Sequence, residues 1–154
     1  MSIDIIQYLD EAIILELKVS ELYHLFSNVF VEDREFWWQL EIEEKNHAAL
    51  LKSGKEFYKH GKFPLEIFPE RLEILKETIS QVNSLIETFN SGWTRKKAFD
   101  TSIVLENSAG EIHFQNFMRS DAQSEIAIIF QKLNRHDCDH SLRITRYISD
   151  HGIK

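Results

Sequence analysis

Two prolines and five glycines in 154 residues leave few places where a helix is forced to stop. That scarcity favours long helices over a turn-rich β architecture. The single cysteine, Cys138, excludes an internal disulfide and is too few for a cysteine-based zinc or iron–sulfur site. Basic residues are short as well: the formal charge is −7, so no basic face is available to neutralise phosphates, and nucleic acid is excluded as a partner. No stretch approaches the roughly 18 uninterrupted apolar residues of a membrane span. The start, Met1-Ser2-Ile3-Asp4, lacks the basic residues and apolar run of a signal peptide. The expectation is one domain over residues 1–154, long enough for a full core, in the cytoplasm and away from membranes.

What is present is helical periodicity from end to end. Ile5, Ile6, Leu9, Ala12, Ile13, Val19, Tyr23, Phe26 and Phe30 recur at intervals of three and four and make one apolar stripe. Asp33 is placed to cap a second helix running through Phe36, Trp37, Leu40, Ala48, Leu51 and Phe57. That helix should fail near Gly61, with residues 62–69, which hold both prolines, as the main loop. Pro69 can open a further helix through Leu72, Leu75, Ile79, Val82 and Ile86, ending around Asn90-Ser91-Gly92. Another helix is predicted through Phe99, Ile103, Ala109 and Phe117. A last one starts near Asp121 and carries Ile126, Ile129, Phe130, Leu133, Ile144, Tyr147 and Ile148. Four helices of about 28 residues, each roughly 42 Å long, would make a bundle. The 33-residue stretch from Gly61 to Trp93 would be its long crossover, between the second and third bundle helices and containing the extra helix.

Each long helix also puts an acid inside its apolar stripe. Glu16 lies between Ile13 and Tyr23; Glu44 follows Leu40; Glu106 follows Ile103; Asp137 follows Leu133. An unpaired carboxylate in a bundle core costs more than a domain's net stability, or must hold its proton. Four at similar depth point to a shared partner, and a pair of divalent cations fits. Two of these helices add a histidine one turn on, His47 after Glu44 and His140 after Asp137, so that carboxylate and imidazole share a face. Mixed oxygen and nitrogen donors of this kind suit iron, manganese or zinc.

Acid-x-x-His alone is a weak signal, since 25 acids and seven histidines yield about one such pair by chance. A third pair, Glu21 with His24, falls off the Glu16–Tyr23 line and reads as surface. The stronger signal is an internal repeat. Glu16 precedes Glu44 by 28 residues and Glu106 precedes Asp137 by 31. Both acid-x-x-His pairs have an aromatic seven residues before the acid (Trp37, Phe130), a leucine four before it (Leu40, Leu133) and a branched aliphatic four past the His (Leu51, Ile144). The first halves match too, Glu16-x4-Glu21-Leu22-Tyr23 against Glu106-x4-Glu111-Ile112-His113. Two similar helix pairs related by a pseudo-twofold would bring six ligands to one centre.

At these residues the chain resembles the rubrerythrin branch of the ferritin-like superfamily. The likeness is close over Glu16-x6-Tyr23 and Glu43-Glu44-Lys45-Asn46-His47-Ala48-Ala49-Leu50, looser in the later helices and slight in the crossover. It implies an all-α, ferritin-like four-helix bundle with a two-iron centre that reacts with peroxide or dioxygen. By position it makes Glu16, Glu44, His47, Glu106, Asp137 and His140 the metal ligands, and Tyr23 a hydrogen-bonding group beside one of them. Family habit and spare aromatics imply a homodimer. Three departures stand out. Asp137 occupies a place where the family has Glu. Ala109 occupies the place of a second glutamate one turn after the third-helix ligand. No four-cysteine rubredoxin module is present, so electrons must come from a separate donor protein.

Plainer readings use the same residues. The acids and histidines can form a buried hydrogen-bonded network without metal, and Asp137 can stand behind the ligands. Tyr23 can be a packed core tyrosine, His113 a satisfied interior histidine and Cys138 a small packing residue. Trp37, Trp38 and Trp93 suit a core or a dimer interface, and Trp93-Thr94-Arg95-Lys96-Lys97 a solvated helix start. Three functions follow: a redox enzyme; a protein that binds, buffers or senses iron; or a helical interaction module that has lost the metal.

Overall fold

A computed structural model describes residues 4–60, 72–108 and 140–154, and among them every regular element is helical. The described residues form five α-helices: α1 (Ile5–Val29), α2 (Arg34–Lys59), α3 (Leu72–Thr88), α4 (Arg95–Glu106) and α5 (His140–His151). The loop over 62–69, Pro69, the side chain of Phe57 and the predicted positions Ala109, His113, Phe117, Asp121, Ile126, Ile129, Phe130, Leu133, Asp137 and Cys138 lie outside the described residues.

α1 starts where Asp4 accepts hydrogen bonds from the amides of Ile6 and Gln7, at 3.1 and 3.2 Å. Its buried face is broader than one stripe, because Tyr8, Leu15 and Leu22 join Leu9, Ala12, Ile13, Val19, Tyr23 and Phe26. The physical reason is that α1 packs against two neighbours, α2 and α3. One 3₁₀ turn, Val31–Asp33, reverses the chain into α2. The pairs Asp10 with Lys55, Glu16 with His47 and Tyr23 with Trp37 make α1 and α2 antiparallel. α3 buries Leu75, Thr78, Ile79 and Val82, and Phe89 just past its end meets Phe26 and Phe30, so α3 runs parallel to α1.

The Asn90–Gly92 turn ends α3 as expected, with the Gly92 amide donating to Asn90 Oδ1 at 2.8 Å. A Cβ at Gly92 would come within 2.9 Å of that oxygen, so any larger residue would have to displace the Asn90 side chain. Thr94 then caps α4 by accepting from the Lys97 amide at 3.1 Å. Phe99 of α4 lies against Trp37 and Glu106 against the middle of α2, so α4 runs parallel to α2. Tyr147 against Phe36 and His140 beside Glu43 make α5 antiparallel to α2.

Two expectations need correction. The helix predicted through Ala109 and Phe117 stops at Glu106 and has 12 residues. Asn107 leaves helical geometry (φ −91°, ψ 9°), and the Ser108 amide tightens the last turn onto the Leu105 carbonyl at 2.9 Å. Asn and Ser compete with helix through local hydrogen bonds, and an apolar stripe does not register that. Secondly, the Asp33 carboxylate is not engaged by α2's first turn. It accepts two hydrogen bonds from Arg95, at 2.8 and 2.7 Å, and one from the Tyr147 hydroxyl at 3.0 Å. Arg95, a third exposed, therefore belongs to an ion pair with the buried Asp33, while Lys96 and Lys97 are exposed as expected. Of the tryptophans, Trp37 and Trp93 take the core reading, and Trp38 is 55% exposed.

The core is continuous along the helices and densest in aromatics near the α1–α2 corner, where Phe26, Trp37, Phe89, Trp93 and Phe99 meet. Polar side chains are concentrated further along, and that is where the candidate site lies.

Candidate metal centre

Four helices converge on one polar cluster. α1 supplies Glu16, α2 supplies Glu44 and His47, α4 supplies Glu106 from its last turn and α5 supplies His140 as its first residue. Glu44, His47, Glu106 and His140 are buried, and the Glu16 side chain is 14% exposed. The cluster falls into two groups whose ligand atoms lie within 4.8 Å of one another. One is Glu16, Glu44 and His47; the other is Glu44, Glu106 and His140; Glu44 belongs to both. His47 Nδ1 stands 3.2 Å from Glu44 Oε2 and 3.4 Å from Glu16 Oε2. His140 Nδ1 stands 2.9 Å from Glu44 Oε1 and 3.3 Å from Glu106 Oε2. The two imidazoles stack at 5.6 Å.

The sequence-predicted positions thus come together with the exception of Asp137, which lies outside the described residues. Tyr23 donates its hydroxyl proton to Glu106 Oε1 at 2.5 Å. The Glu21–His24 pair is on the surface as expected: Glu21 is half exposed and pairs with Lys18, and His24 faces the buried Glu41.

The electrostatics follow from crowding three carboxylates in a dry site. Burial alone pushes the Glu44 carboxyl up, but the positive charge of His140, with Glu16 and His47 alongside, brings it well below the usual carboxylate range. Glu106 goes the other way: burial and the neighbouring Glu44 charge raise it, against the pull of His140 and the Tyr23 hydroxyl. Burial favours a neutral His140, yet Glu106, Glu44 and Glu43 outweigh it and raise its imidazole well above the ordinary value. A proton on His140 therefore does what a cation would do between Glu44 and Glu106.

Whether a metal suits these residues can be judged from their contacts. Glu44 Oε1 and His140 Nδ1 are fully enclosed and only 2.9 Å apart, yet neither has hydrogen-bond geometry toward any group among the described residues. Two buried donor atoms that attract by charge without sharing a proton in line are compatible with co-ligation of a common third partner. The oxygen and nitrogen donor set suits a first-row divalent ion. The residues present fit.

Two contributors escaped the sequence reading. His140 Nε2–H donates to Glu43 Oε2 at 2.7 Å, and Arg143 donates to the same oxygen at 2.5 Å. Burial raises the Glu43 carboxyl, but these two cationic partners bring it below its ordinary value. Glu43 sits about 100° around the helix from Glu44 and so off the apolar stripe. The spacing of His140 and Arg143, one turn apart with matching charge, was the available signal.

A recess of about 10 Å³, close to the room one water needs, reaches Glu106 between α1, α3 and the end of α4. Leu15, Val19 and Leu105 give it apolar walls, and Thr78 and Ser108 give it two polar ones. No helix among the described residues is long and apolar enough to cross a membrane. Comparison with known proteins finds no matching family model, no matching curated protein and no matching solved structure, so a functional reading has to stand on this geometry.

Proposed function

We propose that the chain is a two-metal carboxylate protein of ferritin-like, rubrerythrin-like architecture, which reduces peroxide or dioxygen with electrons from a separate donor. The observation that carries this reading is the pair of overlapping carboxylate–histidine groups sharing Glu44 at one depth in the core. Helix directions support it: α2 and α4 are parallel, so the chain between them must return along the molecule, and α3 does so beside α1. In this reading α1, α2, α4 and α5 form the four-helix bundle, and α3 belongs to its crossover.

Glu44 would lie between two ions, with Glu16 and His47 on one side and Glu106 and His140 on the other. Three carboxylates fall one short of balancing two divalent cations, and Asp137 would supply the fourth. Iron is the preferred occupant, with manganese or zinc as alternatives; bound there, the ions supply electrons and Lewis acidity. The chain's own groups do the rest. Tyr23 holds Glu106 through Oε1 and leaves Oε2 toward His140. His140 gives up its proton when Nδ1 becomes a ligand. The recess beside Glu106 has room for about one water. Reduction of one peroxide to two waters consumes two electrons and two protons, both from outside the chain.

The test is to purify the protein without oxygen, load ferrous iron, desalt and count metal per chain. About two ions per chain, falling sharply in Glu44→Ala/His47→Ala, support the centre. Peroxide consumed beyond that stoichiometry when a reductant is supplied supports the enzyme. A second reading, in which iron is held or oxidised once for buffering or sensing, is favoured by Ala109 at the place of the family's extra glutamate. It predicts full metal loading with no turnover beyond the first.

A further inference from the structure

His140 is the first described residue of α5; its ring is buried, and its orientation decides which nitrogen meets Glu44 and Glu106. Imidazole can offer either nitrogen, and the hydrogen bond made by one sets the role of the other. Here Nε2 faces Glu43 at 2.7 Å, and Nδ1 faces Glu44 at 2.9 Å and Glu106 at 3.3 Å. Arg143, one turn along α5, donates to the same Glu43 oxygen. The Glu43 side chain is 16% exposed and the Arg143 side chain 28%, so the pair forms the outer edge of the site.

We infer that Glu43 is a positioning residue, which binds His140 Nε2–H so that Nδ1 is the ligand nitrogen of the Glu44/Glu106/His140 half-site. This rests on the two-metal reading. Glu43 is one residue from Glu44, and α2 thus carries a ligand on one face and the brace for another helix's ligand on the next. Arg143 acts through Glu43: it keeps the carboxylate from swinging into solvent and ties the start of α5 to α2. Loss of such an outer partner commonly weakens metal binding 10–100-fold. The effect should be confined to one ion, because Glu16 and His47 lie on the other side of Glu44.

The full-length, metal-free chain should be titrated calorimetrically with zinc as wild type, Glu43→Ala, Glu43→Gln and Arg143→Met. Two ions are expected in wild type. In Glu43→Ala the first should bind unchanged and the second about 10–100-fold more weakly. Glu43→Gln should recover part of that loss, because its amide oxygen still accepts from Nε2–H. Arg143→Met, which leaves Glu43 against the ring, should lose less than Glu43→Ala. Equal weakening of both ions, with Glu43→Ala and Arg143→Met indistinguishable, would mean that Glu43 only braces the scaffold and overturns the proposal. So would wild-type binding of both ions in Glu43→Ala, which would leave the metal centre itself standing. A second measurement is independent of metal. The protected His140 Nε2–H resonance in the downfield proton spectrum of the metal-free protein should be present in wild type and absent in Glu43→Ala. A wild type that takes up no zinc would overturn the metal centre, and the resonance alone would then decide whether Glu43 orients the ring; its persistence in Glu43→Ala says that it does not.

Discussion

Two buried carboxylates on the same stretch of chain meet opposite fates. Asp33, at the α1–α2 corner, is 1% exposed and fully engaged, by both arms of Arg95 and by Tyr147. Glu44, roughly 16 Å further along the helix, is equally buried. It faces His140 at 2.9 Å without a hydrogen bond on Oε1. The first arrangement closes on itself and serves to join α2, α4 and α5. The second keeps donor atoms aimed at one another. A buried charge that is completely satisfied is structural; one that is left incompletely satisfied among several like charges calls for a further partner, and a cation is the one we propose.

The largest expected effect breaks the corner. Asp33→Ala leaves Arg95 and Tyr147 without their shared acceptor and should cost about 3 kcal/mol in denaturant unfolding, the low end for a broken buried pair because Arg95 is a third exposed. Zinc uptake should survive it. Next in size is the gain at the centre: zinc in hundredfold excess over its dissociation constant should stabilise the wild type by about 2.7 kcal/mol. Thermal melts should show that gain in Asp33→Ala as well and lose it in Glu44→Ala/His47→Ala. A gain that persists in the double variant would place the metal elsewhere.

The two regions should also respond to opposite extremes of pH. Burial, with the hydrogen bond to Asp33 and its charge, raises the Tyr147 hydroxyl from 10.0 to about 12. The folded value lies above the unfolded one, so this contribution is complete below pH 10.0 and is lost as pH rises toward 12. Tyr147→Phe should flatten stability over that window. At the metal-free centre Glu44 is lowered from 4.5, so its contribution is present above that value and fades as pH falls below it. His140 is raised from 6.5, so its contribution is complete below that value and is lost at higher pH. Glu106 is raised from 4.5 and so costs stability as it ionises above that value, which leaves the loss below 4.5 as the clearest signal of the apo centre; it should vanish in Glu44→Ala. The smallest effect tests neither region. Gly152 ends α5 at φ 59°, with the Ile153 amide bonded back to Ile148 at 3.1 Å, and Gly152→Ala should cost about 1 kcal/mol in unfolding without altering metal uptake.

Much of this was readable in advance, for definable reasons. Period-3.6 stripes placed α1, α2 and α3, and the turn at Asn90-Ser91-Gly92 was visible because glycine and asparagine carry conformational information of their own. Acids on those stripes singled out Glu16, Glu44 and Glu106, since burial of a carboxylate is costly enough to need an explanation. The end of α4 at Glu106 was not readable: Asn107 and Ser108 act through local hydrogen bonds that an apolar pattern does not register. Asp33 looked like a cap because a cap and an ion-pair partner have the same residue type at the same place; only the arrival of Arg95, 62 residues on, separates them.

The one-dimensional pattern therefore determined which residues had to be buried together, because periodicity and hydrophobicity are properties of a single helix. Which atoms face which was decided in three dimensions. The identity of the His140 nitrogen turned toward Glu44, the recruitment of Glu43 by a histidine 97 positions away, and the closure of the corner by Arg95 all depend on distances between helices. Hydrogen bonds and charge pairs act over a few ångströms, and sequence spacing carries no measure of that distance once the chain has turned.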